Sequence, residues 1–122
     1  MRVAIVGVCA SGKTELAKRL SARGLEAHCV AQEHSYVPEL WRHEAFPEVL
    51  VYLEASLRAV RRRGRRGMVA GELREQRRRL AGARRHADMR VPTDHLCPAE
   101  VEAIVLRRLA GRQAAILRCS SQ

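Results

Sequence analysis

The chain has 122 residues, a formal net charge of +10, 47% hydrophobic residues and only 3% aromatics. That length leaves little room for a second domain, so residues 1–122 are expected to form a single domain around one aliphatic core. No stretch approaches the roughly 18 apolar residues of a membrane span, and Cys9, Cys29, Cys97 and Cys119 show no C-x-x-C pair while the five histidines show no metal-ligand spacing; this argues against a membrane protein, a disulfide framework and a structural metal, and the thiols are expected to be reduced.

Arg2-Val3-Ala4-Ile5-Val6 is a short β-branched apolar run, suited to a strand buried on both faces of a parallel sheet. A chain that starts on such a strand does not read as a signal peptide, and a soluble cytoplasmic protein is expected. Gly7-Val8-Cys9-Ala10-Ser11-Gly12-Lys13-Thr14 follows at once and matches the phosphate-loop pattern G-x-x-x-x-G-K-[ST] without a departure. After it, Leu16, Ala17 and Leu20 fall on one helical face, Lys18, Arg19 and Arg23 fall off it, and Gly24 is a natural stop. The motif thus has the flanks it requires, a strand before it and a helix after it.

The residue types carry the chemistry. Gly7 permits a sharp exit from the strand, and Gly12 lets the backbone approach a phosphate where a Cβ would intrude. The N–H groups between them, those of Ala10 and Ser11 included, are expected to form an anion nest reinforced by the positive end of the following helix. Lys13 is a compact charge for β- and γ-phosphate oxygens, and Thr14 offers a hydroxyl to Mg²⁺. A nucleoside triphosphate, ATP with Mg²⁺, is therefore the expected ligand. Lys13→Ala is expected to abolish turnover and leave the fold intact. Cys9, inside the loop, is expected to have a thiol activated by the neighbouring N–H dipoles, so that its alkylation would block the nucleotide.

Glu26 to Gln32 has strand character and ends in Gln32-Glu33-His34-Ser35. Ligands of open parallel sheets bind beyond the carboxyl ends of strands, which makes Glu33 a candidate catalytic or Mg²⁺-linked carboxylate and His34 a candidate acceptor contact; the other reading is a solvated turn. Tyr36, Trp41 and Phe46 then place three of the four aromatics within eleven residues, either as the floor of an acceptor pocket or as a plug beneath a loop. Glu48 to Leu53 is the clearest strand, and Glu54 at its end has the form of a Walker B acid for Mg²⁺.

Between Arg58 and Arg90 thirteen arginines face only Glu72, Glu75 and Asp88, so this segment carries +10 and the rest of the chain sums to zero. Arg61 to Gly67 reads as a helix end passing into a glycine-hinged loop. Glu72 to His86 reads as one helix with a seam of Leu73, Leu80 and Ala87. Arginine is favoured over lysine where planar, bidentate phosphate contacts matter. Met89 to Val91 is a plausible last strand, and Pro98 suits the first turn of a helix that buries Val101, Ile104, Val105 and Leu109 and ends at Gly111. Arg112 to Gln122 reads as a tail with room for one more short helix.

Taken together, this order of elements resembles the small P-loop kinases, the group that includes nucleoside, nucleotide and shikimate-type kinases. Gly7 to Thr14 is the discriminating stretch. Pro47 to Glu54 followed by Arg61 to Arg66 resembles the strand and lid in which kinase arginines close over the phosphates, and Val91 to Leu96 through Glu100-Val101 resembles the closing strand and helix. The resemblance implies a compact three-layer α/β/α sandwich with a short parallel sheet of about four strands and right-handed crossovers. It implies transfer of the γ-phosphoryl group of Mg·ATP to a small acceptor, with Lys13 neutralising the transferred group, Thr14 placing Mg²⁺, and Arg62, Arg65 and Arg78 closing residues 58–90 as a lid. The separate Walker B strand and the acceptor-binding insert of those kinases are missing, so that either Glu54 or Glu33 supplies the acid or catalysis is impaired. No N-K-x-D or D-x-x-G element is present, which disfavours a Ras-like GTPase. Two other readings stand beside the kinase: a non-catalytic nucleotide-binding module, and a nucleic-acid-binding protein using residues 58–90, ranked lower because a single-strand groove would interleave aromatics.

Overall fold

The computed structural model describes the backbone of residues 1–120 and the side chains of residues 1–113. Four strands, β1 (Arg2–Gly7), β2 (Glu26–Cys29), β3 (Val49–Glu54) and β4 (Met89–Pro92), form one all-parallel sheet in the order β2-β1-β3-β4. In register, Val3 of β1 lies beside Ala27 and Val49, and Val51 beside Met89. The central strands are covered on both faces and read as continuous apolar runs: Val3, Ala4, Ile5 and Val6 are wholly buried. The edge strands are not. In β4, Met89 and Val91 are buried while Arg90 and Pro92 are exposed, and in β2 only Ala27 is buried.

Two apolar clusters on opposite faces of the sheet make three layers. On one face, Val3, Ile5, Val51 and Leu53 pack with Leu16 and Leu20 of α1 (Lys13–Ala22) and Val101, Val105 and Leu109 of α6 (Pro98–Ser120). On the other, Ala4, Val6, Leu50 and Tyr52 meet Trp41 of α2 (Leu40–Ala45), Val60 of α3 (Leu57–Arg62), Leu73 of α4 (Ala70–Arg79) and Ala83 of α5 (Ala81–His86). Each fully buried Leu or Val contributes about 1.5–3 kcal/mol relative to exposure. Among the described residues no helix is long and apolar enough to cross a membrane.

Several elements differ from the sequence expectation. The strand expected over 26–32 stops at Cys29, and Gln32–His34 closes a 3₁₀ turn with Gln32 and Glu33 buried, so this cluster is not a solvated turn. The helix expected over 72–86 starts at Ala70 and breaks at Leu80; α4 packs on the 3₁₀ turn and α5 on β3, so the halves serve different neighbours. The helix expected to stop at Gly111 runs on to Ser120. A lone glycine costs a helix only about 1 kcal/mol relative to alanine, and no proline follows to end it. The tail expected after Arg112 is therefore the continuation of α6 as far as Ser120, and Ser121 and Gln122 lie outside the described residues.

Candidate functional site

β1 hands over to α1 through residues 8–12, and backbone sterics fix which residues fit there. A Cβ on Gly7 would lie 2.4 Å from the Leu53 carbonyl oxygen and 2.8 Å from Ser11 Oγ, so glycine is what allows β3 to approach. Gly12 precedes α1 with φ 98°, in the left-handed region, and nothing lies within 4 Å of the place its Cβ would occupy. Ala10 is also left-handed, with φ 59°. Ser11 N–H bonds the Val8 carbonyl at 3.2 Å, and the Cys9 N–H bonds Gln76 Oε1 at 3.0 Å. The N–H groups of Gly12, Lys13 and Thr14 have no backbone acceptor there, as at any helix start, and they sit at the positive end of α1. The nest expected across the whole loop is thus narrower, since the Cys9 and Ser11 donors are already used.

Lys13 folds back over this loop. Its Nζ donates to the carbonyls of Gly7 at 2.9 Å and Val8 at 3.0 Å, and to Glu33 Oε2 at 2.6 Å. Both side chains are nearly enclosed, 11% and 5% exposed. Glu33 Oε1 and Ser11 Oγ are buried without a hydrogen-bond partner, which is costly unless a further group satisfies them. Arg79 Nη1 donates to the Glu33 carbonyl at 3.0 Å, its Nη2 to the Tyr36 hydroxyl at 2.9 Å, and its guanidinium lies 4.4 Å over the Tyr36 ring.

Of the two expected acids, Glu33 meets Lys13, whereas Glu54 is engaged by Arg84 at 3.1 Å in a separate cleft. Thr14 is exposed on the first turn of α1. His34 is exposed, 3.9 Å from Glu33 Oε2. The lid arginines are distributed differently from the expectation. Arg62 donates to the Asp94 carbonyl at 2.8 Å, Arg65 is exposed, and Arg78 pairs with Glu75 at 3.3 Å. None of the three touches the loop. Arg63 does: its Nη1 donates to the Ala10 carbonyl at 3.1 Å and to Thr93 Oγ1 at 3.0 Å, and its Nη2 to the Thr93 carbonyl. Thr93 is buried, with its hydroxyl 3.2 Å from the Ser11 carbonyl and 3.0 Å from that of Glu54.

Arg63, Arg79 and Gln76 were therefore the site residues that sequence reasoning missed. For Gln76 a signal existed, because it lies three residues after Leu73 and four before Leu80, a polar group on an apolar seam. For the arginines none did, since a helix end so rich in arginine gives no local reason to prefer Arg63 over Arg62.

The thiols also exchange places. Cys9 is buried, with Gln76 Nε2 3.2 Å from its sulfur, so it offers no surface for alkylation. The thiol beside the loop is that of Cys29, exposed at the end of β2. Its partial burial raises its pKa, and the Lys13 ammonium and the Thr14 hydroxyl oppose that rise. The aromatics do not act together: Trp41 plugs the core, while Tyr36 and Phe46 are exposed.

A recess borders the loop, and a second lies beside the 3₁₀ turn at Gln32. One, of about 270 Å³, lies between Ser11, Gly12 and Leu16 on one side and Arg63, Thr93 and Leu96 on the other. The other, of about 410 Å³, has Tyr36, Glu39, Arg79 and His86 in its walls. Compared with models of known protein families and with curated proteins, the chain matches none.

Proposed function

We propose that the chain is a P-loop nucleotide-binding protein that transfers the γ-phosphoryl group of Mg·ATP to a small acceptor. The observation that supports this most is the enclosure of one lysine at a glycine-built strand-to-helix turn, against two loop carbonyls and a buried carboxylate with an unpartnered oxygen. A buried charge pair of this kind is weak as a stabilising device, and its position at the carboxyl end of β1 is where open parallel sheets bind ligands.

In this reading the N–H groups of Gly12, Lys13 and Thr14 hold the β-phosphate. Lys13 turns from the Gly7 and Val8 carbonyls to the γ-phosphate, with Glu33 keeping its stem oriented. Arg63, tied to the loop and to Thr93, lies where a base and ribose in the 270 Å³ recess would adjoin the phosphates. The acceptor hydroxyl attacks the γ-phosphorus, the bond to the β–γ bridging oxygen breaks, and the hydroxyl proton passes to solvent. The residues present fit Mg²⁺: Glu33 Oε1 lacks a partner and Thr14 is exposed beside Lys13. Thr14 and Glu33 would hold the ion, which when bound neutralises phosphate charge.

A second reading, a non-catalytic nucleotide-binding module, is favoured by the fact that all three contacts of the Lys13 ammonium are internal. Calorimetric titration of Mg·ATP into wild type and Gly12→Val, followed by a transfer assay with radiolabelled ATP, tests both. Saturable binding lost in Gly12→Val supports the site, and transfer to an acceptor supports the kinase over the module. Equal binding by both proteins defeats the assignment.

A further inference from the structure

A cleft of about 760 Å³ is lined by Val8, by Glu54 at the end of β3, by Ala81 of α5, and by Arg90 and Pro92 at the exposed positions of edge strand β4. Its walls bring together Arg77 from α4, Arg84 and Arg85 from α5 and Arg90 from β4. Their only acidic neighbours in the cleft are Glu54 and Asp94, and both are committed. Glu54 accepts from Arg84 Nε at 3.1 Å, and Asp94 Oδ1 accepts the Ser56 N–H at 2.9 Å. Arg77 and Arg90 reach only backbone carbonyls, those of Ala55 at 3.0 Å and Arg84 at 3.1 Å. Among the described hydrogen bonds and ion pairs Arg85 has no partner.

We propose that this cleft is a second anion site, one that holds the phosphate of a small phosphomonoester between Arg77, Arg85 and Arg90.

Three elements each contribute one guanidinium fork without a carboxylate partner. A carboxylate has two oxygens and is satisfied by one fork, whereas a phosphate monoester has three terminal oxygens and up to two negative charges, which suits three forks. The volume far exceeds that of a free phosphate ion and falls in the range of small-molecule sites. Ala55, Ala81 and Pro92 supply apolar wall for an organic portion, and Tyr52 lies at the floor. Burial and the nearby Glu54 raise the Tyr52 pKa, so its phenol stays a neutral donor. The exposed Arg90 is explained as well: on an edge strand that alternates in and out, it faces this cleft.

The test is calorimetric titration with ribose 5-phosphate, with ribose and citrate as controls, on wild type, Gly12→Val, Arg85→Gln, Arg90→Gln and Arg58→Gln. All of these positions are exposed, and a thermal melt of each variant verifies folding. Saturable binding of ribose 5-phosphate by wild type and by Gly12→Val is expected, weakened at least tenfold in Arg85→Gln and Arg90→Gln and unchanged in Arg58→Gln, with ribose silent and citrate weaker. Because Gly12→Val disables the loop, this result is independent of whether the loop binds nucleotide. Four results overturn the proposal: no binding by wild type, loss in Gly12→Val alone, equal weakening in Arg58→Gln, or citrate binding at least as tightly as the phosphate ester.

Discussion

In the loop between β1 and α1 a single lysine is held by two carbonyls and a carboxylate and is almost closed off from solvent. In the segment from Arg58 to Arg90 thirteen arginines share three acids, and most of them stand on exposed helix faces. Charge is concentrated and enclosed in the first region and spread over an open surface in the second. Enclosed charge is tied to the fold through desolvation, while exposed charge is screened and couples to stability weakly. The loop should therefore be read through stability and ligand binding together, and the arginine segment through ligand binding almost alone. Among the described hydrogen bonds, Gln76, Arg63 and Arg79 connect the two, through Cys9, Ala10 and the Glu33 carbonyl.

Substitutions can break this contrast. The largest effect is expected for Lys13→Ala, which strands the buried Glu33 carboxylate and should cost about 3–5 kcal/mol in denaturant unfolding. The sequence-based expectation of an intact fold then holds only if the domain's stability exceeds this loss, which the same unfolding curve measures. Adding Glu33→Gln should recover part of the loss, and a double variant no more stable than Lys13→Ala would show that the pair is not enclosed. Gln76→Leu comes next: it removes the acceptor of the buried Cys9 N–H, at a cost of about 1–3 kcal/mol, readable as a lower midpoint with unchanged slope. Arg78→Ala should change stability by less than about 0.5 kcal/mol, because its pair with Glu75 is solvent-exposed; a larger loss would erase the contrast between the regions.

The smallest effect is one of pH. The Ser56 side chain and N–H hold the Asp94 carboxyl below the usual aspartate range. A depressed folded-state pKa contributes stability above the unfolded pKa, and that contribution fades as pH falls through the folded value. Asp94→Asn should therefore lower Tm slightly at pH 7, with the difference from wild type shrinking as pH falls below the ordinary aspartate range.

The strands and the glycine loop were legible because their constraints are local. Val3 to Val6 and Val49 to Leu53 are apolar throughout, as buried central strands require, and Gly7 and Gly12 stand where a Cβ clashes or a positive φ is needed. What escaped depends on partners distant in sequence. The choice between a site carboxylate and a solvated turn at Glu33 depends on Lys13, which reaches it from another element, and Arg63 outranks Arg62 because Ala10 and Thr93 converge on it. The break at Leu80 depends on what α4 and α5 each pack against, and the continuation past Gly111 shows that one glycine without a left-handed turn does not end a helix.

The central claim is that the Lys13 loop is a nucleotide site. Its most direct test is a thermal-shift titration of wild type and Lys13→Ala with Mg·ATP, scoring each protein's rise over its own ligand-free melt so that the lower baseline of the variant cancels. Ligand at a hundredfold excess over Kd should stabilise wild type by about 2.7 kcal/mol, a rise of several degrees in a chain of this size, with no rise in the variant. No rise in wild type, or an equal rise in both, would contradict the account.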